Sequence, residues 1–215
     1  VASRVQDVAT GSKGDEGSQQ RWKEEICRIL GEIQAPLSPL LLRLCHWVLP
    51  KLLSRLFLSV QLHRAQQEMV LQAARKPNVP LVFVCTHQSQ LDVLLLSFLL
   101  RSQGIGVPRV TVGTRMSPRL RSLLQSLGGI FLPSAMAQMW SDRDEGLPGA
   151  VLDAYVQEVL QRQQPLVIFL EEPLGTPRLS GPARHWLLRV IRALQDGAVP
   201  DVLLVPVGIT YDVAP

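Results

Sequence analysis

A chain of 215 residues, 47% of them hydrophobic, has room for one sizeable domain with a helical appendage and not for two full domains of ordinary size. Cys27, Cys45 and Cys85 stand isolated, with neither the even count of a disulfide framework nor the paired spacing of a zinc site, so a reducing compartment is the simplest inference. The formal net charge of +4 conceals two acid-free basic blocks that should attract phosphate-bearing partners.

Residues 1–20 are small, polar and Gly-rich and carry too few apolar side chains to pack, which predicts a flexible linker. From Arg21 a helical pattern begins, and Pro36 and Pro39 separate it from a second one running from about Leu37 to Ala74. Residues 21–76 thus form an N-terminal helical segment. No acid occurs from Ile33 to Gln67, whereas Arg43, Lys51, Arg55 and Arg64 are basic. Between Leu40 and Leu58 the polar residues Arg43, His46, Lys51, Ser54 and Arg55 share roughly half of the helix circumference at about 100° per residue. Four potential positive charges argue against a simple membrane span. Two readings remain: a helix packed on the domain with its basic side in water, or an interfacial helix meeting anionic lipid around residues 37–60. Pro50 should kink or interrupt it either way.

From Pro80 onward short β-branched runs alternate with helical stretches. Candidate strands are Leu81 to Cys85, Arg109 to Val112, Leu166 to Leu170 and Val202 to Thr210. Helical stretches lie between them at about Leu91 to Arg101, Pro118 to Leu127, Gly146 to Gln163 and Gly181 to Gln195. The alternation predicts an α/β domain over residues 77–215, with a largely parallel or mixed central sheet flanked by helices. Val1 at one end and an apolar run just before Pro215 at the other suggest an excerpt of a longer protein, with the domain truncated at its C-terminal end. The second acid-free block, Val93 to Ser141, carries Arg101, Arg109, Arg115, Arg119 and Arg121. Nucleic acid would suit the charge, but only Trp140 approaches the aromatic interleaving that a single-strand platform needs, and that reading is set aside.

Sites in open α/β sheets gather beyond the carboxyl ends of the strands. After the first candidate strand comes Thr86-His87-Gln88-Ser89-Gln90-Leu91-Asp92, after the third Glu171-Glu172-Pro173-Leu174-Gly175, and after the last Tyr211-Asp212. In one continuous helix, five residues of separation leave His87 and Asp92 some 140° apart and unable to bond. They meet only if His87 sits in the turn before a helix and Asp92 in its first turn, with Ser89 as N-cap. A carboxylate holding one imidazole nitrogen would leave the other free to take a proton from a substrate hydroxyl. Ser89-Gln90-Leu91-Asp92 equally resembles a capping pattern in which the acid merely favours the helix dipole. His87 has its own plain reading, a satisfied histidine at a strand end. His46, His63 and His185 lack a carboxylate at comparable spacing and are read as surface or packing residues.

The run Cys85 to Asp92 resembles the H-x4-D first motif of the glycerolipid acyltransferases. Leu127-Gly128-Gly129-Ile130-Phe131-Leu132 resembles their second motif, Ile168-Phe169-Leu170-Glu171 the third and Val205-Pro206-Val207-Gly208-Ile209-Thr210-Tyr211-Asp212 the fourth. All stand in the family's order over about Val79 to Asp212, and the likeness is closest to the mitochondrial glycerol-3-phosphate acyltransferases. The resemblance implies transfer of a fatty acyl group from long-chain acyl-coenzyme A to the 1-hydroxyl of glycerol 3-phosphate, giving lysophosphatidic acid. No metal or bound cofactor is implied, acyl-coenzyme A being a co-substrate, and the setting implied is the mitochondrial outer membrane, in contact with its lipids. His87 would be the general base and Asp92 its orienting partner. Ser89, Gly129, Phe131, Glu171, Arg178, Arg115 and Pro206 are the candidates for substrate binding.

Two departures from the family pattern stand out. Pro133 and Ser134 follow Leu132 where an arginine is usual, and Glu172 to Gly175 follow Glu171 where glycine and an arginine-serine pair are usual. Both lost positions would supply cations to the acceptor phosphate, and Glu172 should repel it. Arg178 and Arg115 either take over that role or are solvated surface arginines. Gly128, Gly129, Pro206 and Gly208 have structural readings too, as a permissive turn and as strand-edge geometry. The alternative functions are acylation of a different lysophospholipid acceptor, or a weakly active or inactive membrane scaffold with the acyltransferase fold.

Overall fold

The computed structural model describes residues 16–34, 38–56, 61–86, 90–112, 118–133, 146–170 and 180–210. Three helices lead: α1 (Glu16–Ile33), α2 (Pro39–Leu56) and α3 (Arg64–Ala74). Alternation follows with β1 (Leu81–Cys85), α4 (Gln90–Ser102), β2 (Arg109–Thr111), α5 (Pro118–Ser126), β3 (Gly129–Ile130), α6 (Gly146–Gln161), β4 (Leu166–Phe169), α7 (Gly181–Gln195) and β5 (Leu203–Val207). The strands form one sheet in the order β3-β2-β4-β1-β5, and every pairing is parallel. The expected α/β class holds, with the sheet parallel throughout rather than mixed.

Buried strands read as continuous apolar runs because both faces are covered. Leu81, Phe83 and Cys85 of β1, with Val167 and Phe169 of β4, point to the face covered by α4 and α5, where they meet Val93, Leu96, Leu100 and Leu124. Val82, Leu166 and Ile168 point the other way, onto Val151, Tyr155 and Val159 of α6 and Trp186 and Val190 of α7. The period-2 alternation of β1 and β4 therefore builds two cores at once.

α1 belongs to the second of these cores. Ile26, Ile29 and Ile33 recur at helical spacing and are all buried there, which contributes about 1.5–3 kcal/mol for each side chain. Its carboxyl end is held as well: Arg121 Nη2 and Gln125 Nε2 donate to Glu32 O at 3.2 and 3.0 Å, and Phe131 N–H donates to Ile33 O at 3.0 Å. The last two carbonyls of α1, left without helical partners, are thus satisfied by the sheet-bearing part of the chain.

Several boundaries differ from the sequence reading. α1 starts at Glu16, five residues before the expected Arg21. The single helix expected from Leu37 to Ala74 is two helices, and α2 runs through Pro50 without interruption. Pro50 lies on the exposed side, where water can satisfy the carbonyl that loses its donor. β2, β4 and β5 are shorter than expected by one, one and four residues. β3, a two-residue strand, was not anticipated.

Candidate active site at the carboxyl edge of the sheet

Chain order and strand order together locate the site. From β1 the chain winds through α4 to β2 and then through α5 to β3, while from β3 it returns through α6 to β4 and passes on through α7 to β5. The adjacent strands β1 and β4 therefore send their chains in opposite directions across the sheet. In open α/β sheets, ligands bind beyond the carboxyl ends of the strands at such a reversal. Cys85 pairs in register with Phe169 and Val207, so the chain after the first, third and fourth motif strands leaves from neighbouring positions.

A strand end and a helix start flank the histidine motif. β1 ends at Cys85, α4 begins at Gln90, and Asp92 lies in its first turn, only 2% exposed. His87 and Ser89 lie in the short link between them, outside the described residues, as do Glu171, Arg178 and Arg115. The Cys85 thiol is pushed up to about 12, by burial and then by the Asp92 charge. That Coulombic coupling puts the Asp92 carboxylate within electrostatic reach of the strand end.

The second motif does different work. Gly129 pairs with Val110, and a Cβ there would lie 2.8 Å from Leu124 O and 3.1 Å from Val112 Cγ2. Gly128 has φ +109°, and a Cβ there would lie 2.5 Å from Pro108 O. The pair lets α5 close onto β2 and β3. Phe131 is 1% exposed in the core, with the Arg121 guanidinium 4.6 Å above its ring. β3 is three strand spacings from β1, roughly 14 Å, so Gly129 and Phe131 do not adjoin Asp92 through the sheet. Pro206 does stand next to the site strand, opposite Val84 on β5, with its ring exposed. β5 is an outer strand among the described residues, and a residue without an N–H is tolerated there.

Thr111, at the end of β2, was not singled out from sequence. Its Oγ1 accepts a 3.1 Å hydrogen bond from Phe169 N–H within the core. This fixes the end of β4 from which the third motif leaves. In the sequence it is one more β-branched residue in a strand, and nothing short of the strand order reveals its partner.

The acyltransferase family model matches residues 61–210. The chain is 51% identical over 197 residues to human "Glycerol-3-phosphate acyltransferase 2, mitochondrial", covering 90% of this chain and 24% of that protein. It is 49% identical over 209 residues to the mouse protein of the same name, covering 95% and 26%. To human "Glycerol-3-phosphate acyltransferase 1, mitochondrial" it is 38% identical over 223 residues, covering 99% and 26%. The chain spans about a quarter of the length of these curated relatives. A family match over most of the chain, on a doubly wound parallel sheet whose motif strands converge at one edge, means that this chain belongs to the acyltransferase family.

Proposed function

We propose that this chain is the catalytic domain of an acyl-coenzyme A dependent glycerol-3-phosphate 1-O-acyltransferase. One observation carries the proposal: Asp92 is buried in the first turn of the helix that follows His87, at the strand where the winding of the sheet reverses. The names of the relatives favour the same acceptor.

In this reading His87 takes the proton of the acceptor 1-hydroxyl while Asp92 holds its other ring nitrogen. The hydroxyl oxygen attacks the thioester carbonyl, and the tetrahedral oxyanion collapses with loss of the coenzyme A thiolate. That thiolate recovers the proton from the imidazolium. The products are lysophosphatidic acid and coenzyme A. Ser89, Glu171 and Pro206 shape the acceptor side, while Gly129 and Phe131 pack the second-motif strand away from it. Arg115 and Arg178 supply the positive charge that Pro133 and Glu172 displace from the family's usual positions. The setting proposed is the mitochondrial outer membrane. One feature favours a different lysophospholipid acceptor, namely Glu172 beside Glu171, which disfavours a small dianion.

Labelled glycerol 3-phosphate and long-chain acyl-coenzyme A, supplied to membranes carrying the full-length protein, test this. Transfer is expected, and is lost in His87→Ala; undiminished transfer in that variant overturns the mechanism. Product formed only with lysophospholipid acceptors moves the assignment to those substrates.

A further inference from the structure

α2 presents an exposed apolar surface. Leu40, Leu44, Trp47 and Val48 are exposed, Leu40 by 75% and Trp47 by 63%. At about 100° per residue their spacing places them in a stripe roughly 100° wide. Arg43, Lys51 and Arg55 are exposed too, and the same geometry puts them within or beside that stripe, not on the opposite side. The Lys51 ammonium sits 3.7 Å from the centre of the Trp47 ring.

A helix facing water alone gains nothing from a tryptophan and three aliphatic side chains on its wet side. A partner protein of ordinary composition is a poor match as well, because the 35 residues from Ile33 to Gln67 offer cations and no acid. What suits interleaved cations and apolar anchors is a surface with dense negative charge above an apolar interior. Trp and Leu enter the headgroup boundary, while Lys and Arg lay their aliphatic stems along it and keep their charges at phosphate depth. Among the described residues no helix is long and apolar enough to cross a membrane, so α2 would lie in the plane of the interface. It also packs against α4, the helix that carries Asp92.

We propose that the face of α2 formed by Leu40, Arg43, Leu44, Trp47, Val48, Lys51 and Arg55 docks on an anionic lipid bilayer and, through α4, holds the domain at that surface. The docking stands on the helix alone. Its use, delivery of long-chain acyl donors that partition into lipid, rests on the function proposed above.

Flotation of the full chain with phosphatidylcholine vesicles, with and without phosphatidylglycerol, reads it directly. Binding is expected to the anionic vesicles and to weaken with salt. Trp47→Glu with Leu44→Glu abolishes it. Neutralising Arg43, Lys51 and Arg55 to Gln weakens it about five-fold per cation, about a hundred-fold in all. Trp22→Glu, exposed on α1, is the control and leaves binding intact. An unchanged circular dichroism spectrum and melting curve separates lost docking from lost fold, since every altered side chain is exposed. Absence of binding to anionic vesicles, binding indifferent to Trp47→Glu, or a dimer that Trp47→Glu dissociates each overturns the proposal. His87→Ala keeps vesicle binding while losing transfer, so a failed enzyme reading and a failed docking reading give different results.

Discussion

Leu170 N–H donates a 2.8 Å hydrogen bond to Cys85 O, joining the link that carries His87 to the link that carries Glu171 at their roots. The first prediction concerns the acid one turn beyond. If Asp92 orients His87, Asp92→Asn lowers kcat by about a hundred-fold or more, with little change in KM for glycerol 3-phosphate. His87→Ala costs as much, and the double variant no more than either, because the two act as a unit. A helix-terminal role alone predicts about 1 kcal/mol of lost stability and no specific rate effect. Steady-state kinetics beside urea denaturation decide between them.

High pH should unfold the domain by a route written in its core. The Cys85 thiol and the Tyr155 phenol are both pushed up to about 12, chiefly by burial, from ordinary values of 9.0 and 10.0. Above those ordinary values the unfolded chain has released protons that the native chain still holds, so stability is full below about pH 9 and falls as pH rises towards 12. Each group adds a slope of at most about 1.4 kcal/mol per pH unit. Urea midpoints taken between about pH 9 and pH 11 should show the decline, less steeply in Tyr155→Phe and in Cys85→Ala. At neutral pH Tyr155→Phe should change stability by less than about 0.5 kcal/mol, since the hydroxyl finds no hydrogen-bond partner among the described residues.

Two glycines with positive φ should respond differently to alanine. Gly128 combines φ +109° with a backbone oxygen 2.5 Å from the new Cβ, whereas Gly104 has φ +75° and nothing within 4 Å. Gly128→Ala is expected to destabilise by about 2–3 kcal/mol and Gly104→Ala by about 1–2 kcal/mol. Equal losses would remove close approach as the reason for the second-motif glycine.

The family match begins at residue 61, yet the core does not. Ile29→Ala should lower stability by about 2–5 kcal/mol, and a chain beginning at residue 61 should bind a hydrophobic dye through the bared side chains of Ile130, Leu132 and Val151. A cooperative fold of unchanged urea midpoint in that shortened chain would show α1 to be dispensable.

The sheet strands β1 and β4 were legible because parallel strands covered on both faces must be uniformly apolar. β3 was not, because two residues beginning with glycine carry no period. The end of α2 was hidden for the opposite reason: Gln61, Leu62 and His63 offer no Gly or Pro stop, and Pro50, which does, lies inside the helix. At the site, the motif spacing was readable because His87 and Asp92 are neighbours in sequence. Thr111 and Phe169 are 58 residues apart, and the ion pair that joins the buried Arg189 of α7 to Asp153 of α6, 3.0 Å long, also links residues far apart in sequence. Such pairings depend on which strands and helices end up adjacent, and local pattern does not encode that.

Because β1 and β4 send their chains opposite ways, the strand end before His87 and the strand end before Glu171 share a root in the Leu170–Cys85 hydrogen bond and then lead to different helices, α4 and α7. Changes after β4 therefore bear on the route to α7, and changes after β1 on the route into α4. If His87 and Asp92 act as proposed, a lineage can retune which alcohol it accepts through the stretch after Glu171 while the stretch from His87 to Asp92 is kept.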